Sequence, residues 1–381
     1  MHISKNRVAD FFKRADSLLL ALCTAATLFG IIAISSAAKS YSGGSASYVM
    51  IQFLSLILGL FAYAIFTIID IDIIADHWKL LVFFNVALLL ALIPLGVADD
   101  TGNKAWIRFM GIGIQPAEVV KVVYIIINAR HISYLKQYKS LSSPISLLQL
   151  ALHFLLLFGL IVGISKDLGS ALIYILIFAV SLFVSGVKLY WFAIGIAGVA
   201  AATPLLWDKF LREDQKLRIM APYDPTIDPD GFGIKWQTNN SKLALASGQL
   251  TGTGLYEGTQ SQSSALPAKH TDFIFSVIGE EFGMIGCLIV IGLLTAIIIR
   301  CVYIGIKSRN LTGLLVCVGV ASTMTAQLFI NIGMTMGIVP VIGVTLPFFS
   351  YGGTSIVTMF VAMGLVSGIK YKPKPERFRQ Y

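Results

Sequence analysis

Few ionisable residues stand where this chain could do chemistry, and the notable ones sit in or at the edge of apolar runs. Asp272 lies in His270-Thr271-Asp272-Phe273-Ile274-Phe275, where a polar stretch meets a hydrophobic one. A carboxylate there is partly desolvated, which raises its pKa toward that of a general base. The position equally suits a helix N-cap, and spacing alone favours the cap. Glu118 and Lys121 follow Gln115-Pro116, where proline suits the first turn of a helix. Three residues apart, they share a face and can pair. They read evenly as a buried ion pair or as a cationic site near one surface, reached through Gln115. Glu280 and Glu281 divide the same way, between interhelical hydrogen bonding and contact with substrate or metal. Asp167, in Asp167-Leu168-Gly169-Ser170, reads mainly as a cap. Trp106 lies between Lys104 and Arg108, as an interfacial anchor or as a diphosphate or sugar contact. In Pro347 through Ser355, Gly352 and Gly353 allow close backbone approach, and Ser350 stands just before a helix start whose N–H groups could hold phosphate.

The elements that must position these residues are membrane helices. About 20 apolar residues cross a bilayer, and ten runs reach that length: 17–37, 48–69, 79–97, 115–134, 146–164, 168–187, 189–207, 273–299, 311–333 and 350–370. The expected fold is all-α and polytopic, a single membrane domain over 1–381. Residues 1–16 form the N-terminal end, 17–207 spans one to seven, 208–272 one long extracytoplasmic loop, 273–370 spans eight to ten, and 371–381 the tail. The basic stretch Lys5, Arg7, Lys13 and Arg14 precedes a run long enough to be a retained first helix, without a convincing cleavage site.

With both termini inside, 17 of the 29 Lys and Arg fall on inner loops and ends, and four on short outer loops. That asymmetry orients the chain with both termini cytoplasmic. Seven more lie in the long outer segment, which the rule sets aside because long loops translocate regardless of charge. Its aromatics Tyr223, Phe232, Trp236 and Tyr256 and its apolar stretch Leu243 to Leu250 point to partial folding onto the membrane surface. The chain is 56% hydrophobic and 13% charged, about half the roughly 25% charge of a soluble domain. That excludes a soluble enzyme and a disordered chain. The net charge of +9 is mostly the orientation signal and calls for no nucleic acid. Four cysteines, all in or beside apolar runs, imply no disulfide framework. No internal repeat supports an inverted-repeat transporter.

Taken in order, the motifs resemble the RodA/FtsW/SpoVE family. They are Trp106-Ile107, Gln115-Pro116-Ala117-Glu118-Val119-Val120-Lys121, Asp167-Leu168-Gly169-Ser170, Arg218-Ile219, and Ser247-Gly248 with Gly252-Thr253-Gly254-Leu255. Then come Leu266-Pro267, His270 through Phe275 with Gly279-Glu280-Glu281, Asn331-Ile332-Gly333, and Thr345-Leu346-Pro347 through Gly353. The resemblance runs from about residue 10 to 370. It implies a ten-helix peptidoglycan glycosyltransferase that polymerises lipid II on the outer face of the bacterial cytoplasmic membrane. It maps the family's essential acid onto Asp272, reversing the preference for a cap, and its motif cation onto Lys121. It also implies a class B penicillin-binding protein as partner, among other elongasome or divisome membrane proteins. Ala105 stands where the family has arginine, Lys166 where it has proline, and Gly248-Gln249 where it has a glycine pair.

On this reading Asp272 deprotonates the acceptor hydroxyl. Lys121, Arg108 and Lys104 face the diphosphate, with a divalent cation (Mg or Mn) held through carboxylates such as Glu281. Trp106, Gln115, Glu118, Asp167, Ser350, Gly352 and Gly353 complete the expected substrate contacts. The rivals are a lipid II flippase and a scaffold that activates the penicillin-binding protein. The clustering of informative residues on the outer side favours the enzyme. Short termini favour the elongation branch slightly over the division branch.

Overall fold

The computed structural model describes residues 11, 15–41, 44–97, 104–109, 112–209 and 211–371. The basic stretch Lys5, Arg7, Lys13 and Arg14 and residues 372–381 of the expected tail lie outside the described residues. The long helices are α1 Ser17–Ala37, α2 Ala46–Ile68, α3 Trp78–Leu90, α4 Pro116–Tyr138, α5 Pro144–Leu160, α6 Leu168–Ser185, α7 Leu189–Lys209, α8 Trp236–Ser247, α9 Ile274–Ile306, α10 Leu311–Thr335 and α11 Gly353–Tyr371. A short helix, Leu92–Leu95, prolongs α3, and a π-helical turn, Ile161–Ser165, prolongs α5. Among the described residues, nine helices are long and apolar enough to cross a membrane. The chain is thus a multi-pass, helical membrane protein.

The expected fourth span is the exception. Helix α4 has the length, at 23 residues, but it carries Glu118, Lys121 and Arg130 within its first turns and middle. Glu118, Lys121 and Asn128 are buried by neighbouring helices. Polar side chains are tolerated at membrane depth when protein, not lipid, surrounds them. Two other bounds move: α9 runs to Ile306, beyond the expected 299, and α11 starts at Gly353, leaving 350–352 as a turn.

Local signals set the helix starts. Pro116 and Pro144 occupy first turns, where the missing N–H has no intrahelical acceptor to lose. Asp16, Ser143, Asp167 and Asn310 cap α1, α5, α6 and α10, accepting from Leu19, Ser146, Ser170 and Gly313 N–H groups at 2.8 to 3.2 Å. Helices α2 and α11 pack closely because glycines remove the intervening side chain. A Cβ at Gly364 would lie 2.7 Å from the Tyr63 carbonyl oxygen, and one at Gly59 2.6 Å from the Phe360 ring. At the opposite end of the bundle from Asp272, buried Asp16 accepts from Arg300 at 2.7 Å and Lys370 at 3.0 Å, tying α1, α9 and α11 together. Burial raises the Asp16 pKa, but these hydrogen bonds and that of Leu19 outweigh it and hold the carboxyl below its ordinary value.

The long segment 208–272, the outer segment by expectation, is anchored through a break in α9. Gly283 there adopts φ 66° and ψ −163°. The freed carbonyls of Glu280 and Glu281 accept from Thr253 and Gly254 N–H, at 2.9 and 3.2 Å. The freed N–H groups of Met284 and Ile285 donate to Gln249 and Leu250 carbonyls, at 2.9 and 3.2 Å. Residues 249–254 therefore replace the helix's own lost hydrogen bonds. Gln249, where the family has glycine, takes φ 46° in this turn. The stretch Leu243 to Leu250 lays one side on the bundle and leaves Leu243 and Leu250 exposed. Ala244 is buried, Leu245 meets Gly279 of α9, and Ser241 bonds Ser276 at 2.6 Å and the Thr335 carbonyl at 2.7 Å.

Gly252 sits at φ 86°, and a Cβ there would lie 2.1 Å from the Glu281 carbonyl oxygen. Gly252→Ala is expected to unseat the outer segment at a cost of about 3 kcal/mol or more. Faster limited proteolysis between residues 208 and 272 is the readout; an unchanged digestion rate would contradict the anchoring.

Candidate active site

A three-stranded antiparallel sheet lies between α3 and α4: β1 Gly96–Val97, β2 Trp106–Phe109 and β3 Ile112–Ile114. On β2, Trp106 and Arg108 alternate onto one face, and Arg108 pairs with Gly113 of β3. The Gly113 carbonyl accepts from Thr354 Oγ1 of α11 at 2.7 Å, fixing the sheet against the bundle. Together the sheet, α2, α11, the 342–354 stretch and the outer segment enclose a cavity of about 1690 Å³.

Seven of the expected site residues line it: Trp106, Arg108, Gln115, Asp167, Asp272, Gly352 and Gly353. Asp272 does not cap a helix, since Phe273 is the N-cap residue of α9 and has no side-chain cap bond. Its carboxylate accepts no hydrogen bond shown among the described residues. Asp272 retains partial exposure to the cavity while protein packs closely around it. Burial raises its pKa to about 6, and the charge of Asp167 adds to the rise. Asp167 both caps α6 and faces the cavity, accepting from Ser170 Oγ at 2.7 Å and Gln115 Nε2 at 3.0 Å. Burial raises its pKa too, against those hydrogen bonds, and Glu118 contributes in the same direction.

Backbone clamps hold Asp272 in place. Asn331 Nδ2 donates to the Asp272 carbonyl at 2.9 Å and to that of Val344 at 2.7 Å. Ser350 Oγ donates to the Thr271 carbonyl at 2.6 Å, and Tyr351 N–H to that of His270 at 2.8 Å. Ser350 is therefore a positioning residue behind the cavity wall. Gln52 of α2 fixes the next turn, donating to the Ser350 carbonyl at 3.1 Å and accepting from Gly352 N–H at 3.2 Å. His270 is held neutral near pH 7, since burial lowers its pKa to about 4 and the neighbouring Lys269 charge adds to that.

Four more of the expected residues lie outside the cavity lining. Lys121 and Glu118 do not line the cavity; they form a 2.7 Å ion pair buried within the bundle. Lys104 is exposed and outside the cavity lining. Glu281 is turned to a different task, its Oε1 accepting from Ser36 Oγ at 2.6 Å, Ser261 Oγ at 2.9 Å and Gln262 Nε2 at 3.1 Å. Its Oε2 is buried without a hydrogen-bond partner, and Glu281 does not line the cavity; among the described residues no three His, Cys, Asp or Glu gather as metal ligands. The cations that do face the cavity, besides Arg108, are Arg218, Lys235 and Lys242, all from the outer segment. Counting charges for topology set these aside. Gln52 could have been found, as a lone amide inside an apolar run.

The cavity wall is also apolar where it meets α2. Ile51, Leu54 and Leu58 line it, and they are 38%, 50% and 61% exposed. The arrangement brings a desolvated carboxylate, four cationic side chains and an exposed apolar wall into one space.

The Cell cycle protein family model of FtsW, RodA and SpoVE matches residues 14–374. The chain is 34% identical to the peptidoglycan glycosyltransferase MrdB of Escherichia coli (strain K12), over 77% of this chain and 78% of that one. It is 33% identical to the probable peptidoglycan glycosyltransferase FtsW of Bacillus subtilis (strain 168), over 90% and 87%. Among solved structures it resembles a chain from a study of how a peptidoglycan synthase complex coordinates polymerization and crosslinking. The TM-score is 0.78 at 25% identity, covering 93% of this chain and 97% of that one.

The Glu118–Lys121 pair yields a stability test. Lys121→Ala strands a buried carboxylate whose Oε2 already has no partner, at an expected cost of about 3–5 kcal/mol. Glu118→Gln combined with Lys121→Met should recover most of that loss, read by thermal unfolding in detergent. A single variant that keeps its stability would show that the pair does not hold the bundle.

Proposed function

The chain belongs to the FtsW/RodA/SpoVE family of cell cycle proteins, and from that premise we propose how its outer cavity works. The protein is a peptidoglycan glycosyltransferase. Its substrate on this reading is lipid II, a disaccharide-pentapeptide on an undecaprenyl diphosphate. One observation carries the proposal: Asp272, a carboxylate with a raised pKa, shares a cavity with four cations and a lipid-exposed apolar wall.

The chemistry follows from charge. The acceptor sugar hydroxyl is a poor nucleophile until its proton leaves. Asp272 takes that proton as the acceptor oxygen attacks the anomeric carbon of the donor, and the carbon–oxygen bond to the diphosphate breaks. Direct displacement inverts the α-linked donor to a β-1,4 product. A base is most effective when its pKa lies near the working pH, and a value of about 6 meets that condition. The departing diphosphate gathers negative charge, which Arg108, Arg218, Lys235 and Lys242 are placed to stabilise. The proton then leaves Asp272 for water in the cavity. Asp167 keeps its neighbour's pKa high, and Gln115 and Ser170 hold Asp167 still. Lys121 bears on this site through its ion pair with Glu118, whose charge raises the Asp167 pKa.

We infer that the cavity faces outward and both termini lie in the cytoplasm, on the strength of the 17 inner basic residues against four on short outer loops. A cross-linking partner of the class B penicillin-binding type fits the coordinated polymerization and crosslinking described for the similar complex. The role is in cell elongation or division.

Asp272→Asn should insert and fold yet form no glycan from labelled lipid II, while wild-type protein forms it without another polymerase and in the presence of moenomycin. Lipid II that crosses liposome membranes without yielding products would instead support a flippase. The pH profile carries the sign. Asp272 must be deprotonated to act, so kcat/KM should fall about tenfold per unit as pH drops below about 6. A rate flat from pH 7 to 4.5 would remove Asp272 as the base.

A further inference from the structure

The outer segment presents an aromatic pair that the displacement chemistry leaves unused. Phe232 and Trp236 stack with ring centroids 5.5 Å apart and planes 30° from parallel. Both line the cavity that holds Asp272, and Phe232 is 76% exposed. A ring left bare in a polar extramembrane segment forgoes the roughly 1.5–3 kcal/mol that burying it would supply.

A built turn presents the pair. The Asp228 carboxylate accepts from Gly233 N–H and Lys235 N–H, each at 2.9 Å. Lys235 Nζ donates to the Asp224 carbonyl at 2.9 Å. Gly231 takes φ 71°, and a Cβ there would lie 2.5 Å from Asn239 Nδ2. The turn is thus closed by side-chain hydrogen bonds and close packing, with the two rings fixed at its surface.

We propose that Phe232 and Trp236 form a carbohydrate subsite that holds N-acetylated pyranose rings of the glycan against the cavity wall. The argument is one of chemical matching. A diphosphate is drawn to the cations, and a hydrocarbon tail to the exposed face of α2. A pyranose ring has neither charge nor tail; it has a C–H face that is apolar and an edge of hydroxyl and acetamido groups. A flat stacked pair covers such a face with large contact area and little entropy loss. Gln237, Thr238 and Asn239 line the cavity beside the pair and supply amide and hydroxyl groups for the edge. The subsite rests on the glycan-polymerising reading, and it assigns the sugar to the outer segment. If the rings instead dip into lipid as interfacial anchors, sugar binding will not depend on them.

The test uses the full chain in detergent, with N-acetylglucosamine hexamer as probe, read by saturation-transfer NMR, and labelled lipid II for glycan length. Wild-type and Asp272→Asn proteins should bind the hexamer alike. Phe232→Ala and Trp236→Ala should each weaken binding about fivefold to tenfold and shorten the glycans formed, whereas Trp236→Tyr, which keeps a stacking ring, should retain both. No saturable hexamer binding by wild type, or binding and glycan length unchanged in both alanine variants, would overturn the subsite. Pair-dependent hexamer binding by a wild-type protein that forms no glycan would strike the polymerase reading and leave the subsite standing. Normal glycan synthesis with unaltered lengths in the alanine variants does the reverse.

Discussion

Two adjacent carboxylates buried in the head of α9, Glu280 and Glu281, hold the outer segment on the bundle, and the cavity depends on them. Glu280 accepts from the N–H groups of Gln260 and Ser261, at 2.8 and 2.7 Å, and from Thr259 Oγ1 at 3.2 Å. Glu281 gathers Ser36, Ser261 and Gln262 around one oxygen. Lys269, almost fully buried, faces both charges electrostatically and donates to the Ser261 and Ser263 carbonyls at 2.6 and 2.8 Å. Burial holds the Lys269 pKa below its ordinary value, and the charges of the two glutamates oppose that shift without cancelling it. Buried charges persist only when paired and hydrogen-bonded. Satisfying these three wraps residues 259–269 around the helix head and delivers His270 to Asp272 to the cavity edge.

The same demand for internal satisfaction runs through the bundle. The break at Gly283 exposes backbone groups that no lipid can bond, and the outer segment supplies their partners. Gln52 meets the backbone of the 350–352 turn, and Asn331 bridges Asp272 to Val344. Each amide is expensive at membrane depth, and each donates to loop carbonyls that would otherwise be unbonded there, while Asn331 Oδ1 is left without a partner. The consequence is an aspartate, Asp272, whose backbone is clamped on several sides and whose carboxylate accepts no hydrogen bond shown among the described residues. A carboxylate already saturated with donors would have a low pKa and little basicity. Clamping the chain and sparing the side chain gives position without that loss.

Much of this was legible in the residue order. Pro116 and Asp167 marked helix starts because capping and proline effects act over three or four residues. Glu118 and Lys121 were seen as a pair because helical spacing alone brings them together. Whether that pair faced the cavity was another matter, since the answer lies with the helices packed around α4. For Glu281 the deciding contacts came from Ser36, more than 240 positions away, and from the outer segment. Lys235 and Lys242 escaped notice, and Arg218 entered only as part of a motif, because a long polar segment carries many charges, and only its fold aims some of them inward.

By itself the sequence determined the class of molecule, the places of the long helices, the cap at Asp167 and, through an ordered set of motifs, the family. These follow from hydropathy and hydrogen bonding within a few neighbouring residues. Tertiary structure alone decided which polar groups share the cavity, which are spent holding the outer segment, and how far Asp272 is desolvated. Those depend on distances between residues far apart in the chain, and on what has displaced water around each charge. Local pattern encodes neither quantity, because both arise only when the helices pack.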